Sequence, residues 1–168
     1  MRRAQLMSAK QQGEPIRILL VEDNPGDVRL IREALKTSPI PSLVTVAEDG
    51  LAALRILSQA GSDGAVLPDL IVLDLNLPKK HGCEVLAELK TDPLLRHIPV
   101  VILTSSRSDE DVRRSFENNV NLYLTKPSDF SRFYDVVITL SSFWLGLRNL
   151  TGGNGYEKRV DPGSPHRG

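Results

Sequence analysis

Short apolar runs alternate with amphipathic stretches along most of this chain, and that alternation predicts its elements. Ile16–Val21 is an apolar run closed by Glu22, Asp23, Asn24 and Pro25, as a buried strand would be. Gly26–Thr37 places Val28, Ile31 and Leu35 at helical spacing. The same pattern then repeats. Leu43–Ala47 predicts a second strand and Gly50–Gln59 a second helix. Leu70–Leu73 predicts a third strand that ends against Asp74, followed by a helix over Cys83–Lys90. Val100–Leu103 and Leu122–Leu124 predict the fourth and fifth strands, with helices over Asp109–Asn118 and Asp129–Leu147. Strands that read as continuous apolar runs, each followed by a helix, predict a parallel sheet covered on both faces. Right-handed crossovers make this an α/β, doubly wound five-stranded parallel sheet with helices on both faces. Strand order 2-1-3-4-5, the flavodoxin-like order, is the economical arrangement.

The folded domain is expected over residues 15–150. Residues 1–14 and 151–168 are expected to be flexible ends, the second because Gly152, Gly153, Asn154, Gly155, Pro162, Gly163 and Pro165 oppose any regular element. The 21 basic and 21 acidic residues cancel, which removes the simplest argument for a nucleic-acid partner. No stretch approaches the ~18 consecutive apolar residues of a membrane span, and Met1–Glu14 lacks the apolar region of a signal peptide. A cytoplasmic protein without a membrane partner is expected. Cys83 is the only cysteine, so no internal disulfide forms, and its apolar surroundings predict a packing role. His81, His97 and His166 lie in polar stretches without zinc-ligand spacing, which predicts solvated side chains.

In open α/β sheets ligands gather outside the carboxyl ends of the strands, so the residues that end them are the candidates. Strand one ends in Glu22-Asp23, strand three in Asp74, strand four in Thr104 and strand five in Lys126. Three converging carboxylates repel one another unless a cation lies among them. An all-oxygen set with room for water suits Mg²⁺. Lys126 would add an ammonium beside Asp74, and Thr104 a hydroxyl donor. Together they suit the charge of a transferring phosphoryl group, with Asp74 as nucleophile.

Leu19-Leu20-Val21-Glu22-Asp23-Asn24, Leu73-Asp74-Leu75-Asn76-Leu77-Pro78, Leu103-Thr104 and Lys126-Pro127 resemble, in order and spacing, the receiver domains of two-component response regulators. The resemblance runs over roughly Ile16 to Leu147. It implies a phosphoacceptor switch rather than an enzyme acting on a separate substrate. Asp74 would be phosphorylated by a sensor histidine kinase. Glu22, Asp23, Asp74 and the backbone carbonyl of Asn76 would hold Mg²⁺, for which Mn²⁺ or Ca²⁺ can substitute. Thr104 and Lys126 would contact the phosphoryl group, and Tyr123 would be the aromatic rotamer switch. Where many receivers carry Met-Pro-x-Met-Asp-Gly, this chain has Leu77-Pro78-Lys79-Lys80-His81-Gly82. With Phe143-Trp144-Leu145, that stretch resembles the single-domain regulators paired with bacterial phytochrome histidine kinases. No effector segment follows the receiver in the sequence, so output is expected through its surface or through phosphoryl relay.

Rival functions fit less well. A haloacid-dehalogenase-type phosphatase needs an acid/base aspartate where Asn76 stands, and a flavodoxin would not place acidic residues in its first turn. The remaining alternative is a pseudo-receiver, an interaction module that is never phosphorylated. The intact acidic pair, Asp74, Thr104 and Lys126 argue against it. Finally, the apolar residues of the last predicted helix spread over more than the ~100° stripe that a helix needs to face its own core. Phe133, Tyr134, Val136, Ile138, Leu140, Phe143, Trp144 and Leu147 are therefore expected to form a homodimer surface.

Overall fold

The computed structural model describes residues 14–62 and 64–150. Its strands are β1 (Ile16–Val21), β2 (Ser42–Ala47), β3 (Leu70–Leu73), β4 (Val100–Thr104) and β5 (Leu122–Thr125). Its helices are α1 (Pro25–Leu35), α2 (Gly50–Ser62), α3 (Gly82–Thr91), α4 (Asp109–Glu117) and α5 (Phe133–Leu150). All pairings are parallel, in the order β2-β1-β3-β4-β5. The expected strand order and helix alternation are both present. The expected flexible ends lie outside the described residues, apart from Glu14.

β3 and β4 are buried along their whole length, which is why they read as unbroken apolar runs. Leu19, Val21, Ile71, Leu73, Val100 and Ile102 face one core layer with α2 and α3, while Ile18, Leu20, Val72, Val101 and Leu103 face another with α1 and α5. Cys83 is buried in the first layer, the packing role expected of it.

The element ends follow local chemistry. α1 starts at Pro25, with the Asn24 side chain accepting the N–H groups of Gly26 and Asp27 and a proline in the first turn. α3 starts after His81, which forms a capping box with Glu84. The last helix is not continuous from Asp129. Asp129 caps a 3₁₀ turn over Phe130–Arg132, and α5 begins at Phe133.

Phe133, Val136 and Leu140, expected on a dimer surface, instead face the protomer's own core, together with Val137. Phe143 and Trp144 pack against the same layer and are partly buried. The sheet and α1 cover this side of α5, so it is not available to a second copy. The opposite side carries Tyr134, Ile138 and Leu145, all exposed, with Ile138 at 64%.

Candidate functional site

The parallel register brings the strand ends together. Val21 and Leu73 are paired across β1 and β3, so Glu22 and Asp74 leave the sheet side by side. The Asp74 N–H donates to the Val21 carbonyl (3.0 Å), and that of Glu22 to the Ala47 carbonyl (3.0 Å). On the far edge the Lys126 N–H donates to the Thr104 carbonyl (2.7 Å), which fixes the start of the lysine's reach across the sheet.

Glu22 and Asp74 are only 2% and 5% exposed, while Asp23 is exposed beside them. Carboxylate oxygens of Glu22, Asp23 and Asp74 all lie within 4.8 Å of one another. The Lys126 ammonium lies 3.0 Å from Asp74 Oδ2, 2.5 Å from Glu22 Oε2 and 2.8 Å from Asp27 Oδ2. Burial pushes the Glu22 carboxyl up to about 7, against the opposing hydrogen bond from Lys126. Burial alone would lower the affinity of Lys126 for its proton. The Asp27, Glu22 and Asp74 carboxylates outweigh it and hold the ammonium above the ordinary lysine range.

Glu22 gives a pH signature. The unfolded chain releases this proton near 4.5, the folded chain near 7, so between these values the unfolded state binds fewer protons. The contribution of Glu22 to stability therefore falls as the pH rises through that window. In chelator, thermal melts of the wild type should lose more stability between pH 4.5 and 7 than those of Glu22→Gln. Parallel pH dependences would refute the assignment.

The other expected residues occupy distinct places. Asn76 lies in the loop after β3, where its backbone N–H donates to Asp74 Oδ1 (3.3 Å). Thr104 is fully buried at the end of β4, and its hydroxyl oxygen accepts the Ser106 N–H (3.2 Å). The Tyr123 hydroxyl donates to the Ser106 carbonyl (3.2 Å), so Thr104 and Tyr123 hold the two sides of one residue. Ser106 in turn donates to Asp111 Oδ2 at the start of α4 (2.6 Å).

Three features escaped the sequence. Asp27 is the first. An acidic residue in the first turn of a helix ordinarily complements the helix dipole, and nothing local points from it to Lys126, which lies 99 positions away. The second is the clasp on the loop after β3. Lys79, whose φ is 66°, pairs with Asp49 Oδ2 at 2.9 Å, and Lys80 pairs with Glu88. Neither lysine is free to act as a phosphate clamp in this arrangement. The third is a cluster of His81, Cys83 and Asp111, whose ligand atoms lie within 4.8 Å although the sequence shows no zinc spacing. His81 Nδ1 accepts the Cys83 N–H (3.1 Å), and the Cys83 thiol is buried, which raises its pKa. Both would have to change state before taking a metal. The acidic strand-end set, all oxygen and already ionisable, fits a hard divalent cation far better.

The response regulator receiver domain family matches residues 18–138. Response regulator Rcp1 of Synechocystis sp. is 48% identical over 136 residues, 80% of this chain and 92% of that protein. Among solved structures, the phosphorylated cyanobacterial phytochrome response regulator RcpA superposes with a TM-score of 0.74 at 47% identity, over 79% of this chain and 96% of that one. The Mn²⁺-bound form of Rcp1 gives 0.72 at 49% identity, over 78% and 95%.

Proposed function

The chain belongs to the response regulator receiver domain family, and from that premise we propose that it is a single-domain phosphoacceptor switch working in the cytoplasm. Its donor is a sensor histidine kinase of the phytochrome type, in line with the phytochrome regulator RcpA that it resembles. Asp74 is the acceptor. The observation that carries this is the buried carboxylate at the end of a central strand, with a buried ammonium 3.0 Å from one oxygen and a backbone N–H on the other.

Glu22, Asp23, Asp74 and the Asn76 backbone carbonyl would hold Mg²⁺. Rcp1 has been seen with Mn²⁺ bound, which supports a divalent site here. The cation, when bound, supplies charge neutralisation among the carboxylates and to the incoming phosphoryl oxygens. In the transfer, an Asp74 oxygen forms a bond to phosphorus while the phosphohistidine P–N bond breaks, and its electron pair leaves with the imidazole. Lys126 then turns its ammonium toward a phosphoryl oxygen. Thr104 still has its hydroxyl proton to donate, and moving toward the phosphoryl group carries the Ser106 amide with it. That shift disturbs the Ser106 carbonyl on which Tyr123 rests, and so couples Asp74 to the surface of α4 and β5. The group that drives this brings close to two negative charges.

Acetyl phosphate with Mg²⁺ should add a single phosphoryl group, detected by intact mass, and none in the presence of a chelator. An unlabelled protein at saturating donor would point to the pseudo-receiver instead.

The same reading includes a homodimer through α5. Its surface is the exposed side of the helix, with Tyr134, Ile138 and Leu145, preceded by exposed Phe130 in the 3₁₀ turn. Sedimentation at high micromolar concentration should show a dimer that Ile138→Asp converts to monomer. A monomeric wild type, with and without phosphodonor, would remove the dimer.

A further inference from the structure

We propose that Asp27 is a positioning residue of the phosphoryl site, a dock that keeps Lys126 paired when the cation draws on Glu22 and Asp74, before the phosphoryl group arrives. The proposal rests on the phosphoacceptor reading and adds a residue to it.

Lys126 is 9% exposed at its side chain and is shared among three carboxylates. Two of them, Glu22 and Asp74, belong to the set whose oxygens converge for a cation. Asp27 is not in that set. When the cation draws on Glu22 and Asp74, the ammonium loses partners inside a buried site, and an unpaired buried charge is strongly unfavourable. Asp27, 2.8 Å away and outside the metal cluster, is the one partner that stays.

Its placement is rigid. Asp27 lies in the first turn of α1, its own N–H held by Asn24 Oδ1 at 3.1 Å, and Pro25 fixes the turn. A carboxylate that served only the helix dipole would have no reason to meet a lysine from β5's end. Asp27 therefore does two things at once. It gives Lys126 a place to retire when the cation enters, and it competes with the phosphoryl group for the same ammonium.

A double-mutant cycle on the full chain separates this from simple charge attraction. Mg²⁺ alone is titrated calorimetrically into wild type, Asp27→Asn, Lys126→Ala and the double variant, with circular dichroism confirming equal folding. If Asp27 acts by docking Lys126, Asp27→Asn should weaken Mg²⁺ binding by about tenfold with lysine present, and by only about twofold once Lys126 is alanine. Asp27→Glu should recover part of the loss. A purely long-range charge effect gives an equal or larger loss in the Lys126→Ala background, because no ammonium then offsets it, and that outcome overturns the proposal. Asp23→Asn serves as the reference for the metal site itself. If it binds Mg²⁺ as tightly as wild type, the metal assignment under the functional reading fails, whereas a failed cycle with a responsive Asp23 removes only the role of Asp27.

Discussion

Asp74→Asn should take no phosphoryl group at all from acetyl phosphate and Mg²⁺, while folding as the wild type does. The loss is expected to be complete because a carboxamide oxygen is not a competent nucleophile and its nitrogen cannot replace it. The fold should survive because the substitution changes almost no volume at a fully packed strand end. The backbone bond from Asp74 to Val21 is untouched by it, and Lys126 keeps Glu22 and Asp27. Removing one of two like charges also eases the repulsion that helps to raise the Glu22 carboxyl. Mg²⁺ affinity should fall as well, since one of the converging carboxylates is gone. Intact mass and peptide mapping measure the label. Equal labelling of the variant and the wild type would place the acceptor elsewhere and dismantle the proposed function.

The sheet was legible because its central strands have no solvent face. β3 and β4 show four and five buried residues in a row, a pattern that an amphipathic element does not produce. The strand-end residues were legible for a related reason: in a parallel sheet the carboxyl ends share one edge, and the four strands that carry the site residues lie along it in the order β1-β3-β4-β5. α5 was legible as a helix but not in its facing. Its apolar residues surround much of the axis, and nothing in the periodicity says that Phe133, Val136 and Leu140, rather than Tyr134, Ile138 and Leu145, would meet the sheet.

What stayed hidden depends on contacts far apart in the chain. The pairing of Asp27 with Lys126 spans 99 positions, and that of Lys79 with Asp49 spans 30. Locally, Asp27 is an ordinary first-turn acid and Lys79 an ordinary turn residue. His81 as a helix cap was hidden by residue type, since caps are usually Ser, Thr, Asp or Asn. These are the side chains that shape the site's charge without being part of its acidic strand-end pattern.

Gly82→Ala should be the most damaging glycine-to-alanine change among the described residues. A Cβ at this position would lie 2.3 Å from the Asp74 carbonyl oxygen and 2.6 Å from the Leu75 Cα, both backbone atoms. No side chain can swing away to relieve that contact. The Gly82 N–H also donates to the Leu75 carbonyl at 2.8 Å, so the two segments are tied face to face and cannot simply separate. Either that hydrogen bond breaks or the acceptor strand end shifts. Overpacking of this kind costs roughly 3 kcal/mol, which for a chain of this length lowers Tm by about 10 °C. The same displacement moves Asp74 relative to Glu22 and Lys126, so phosphoryl uptake should drop along with stability. Gly146→Ala is the matched control. It adds the same methyl to α5, where nothing lies within 4 Å of the new atom, and should raise stability by about 0.5–1 kcal/mol. Thermal melts of the two variants beside wild type decide the matter. A Gly82→Ala protein that melts within a degree or two of wild type and labels normally would mean that α3 does not press on the acceptor loop as described.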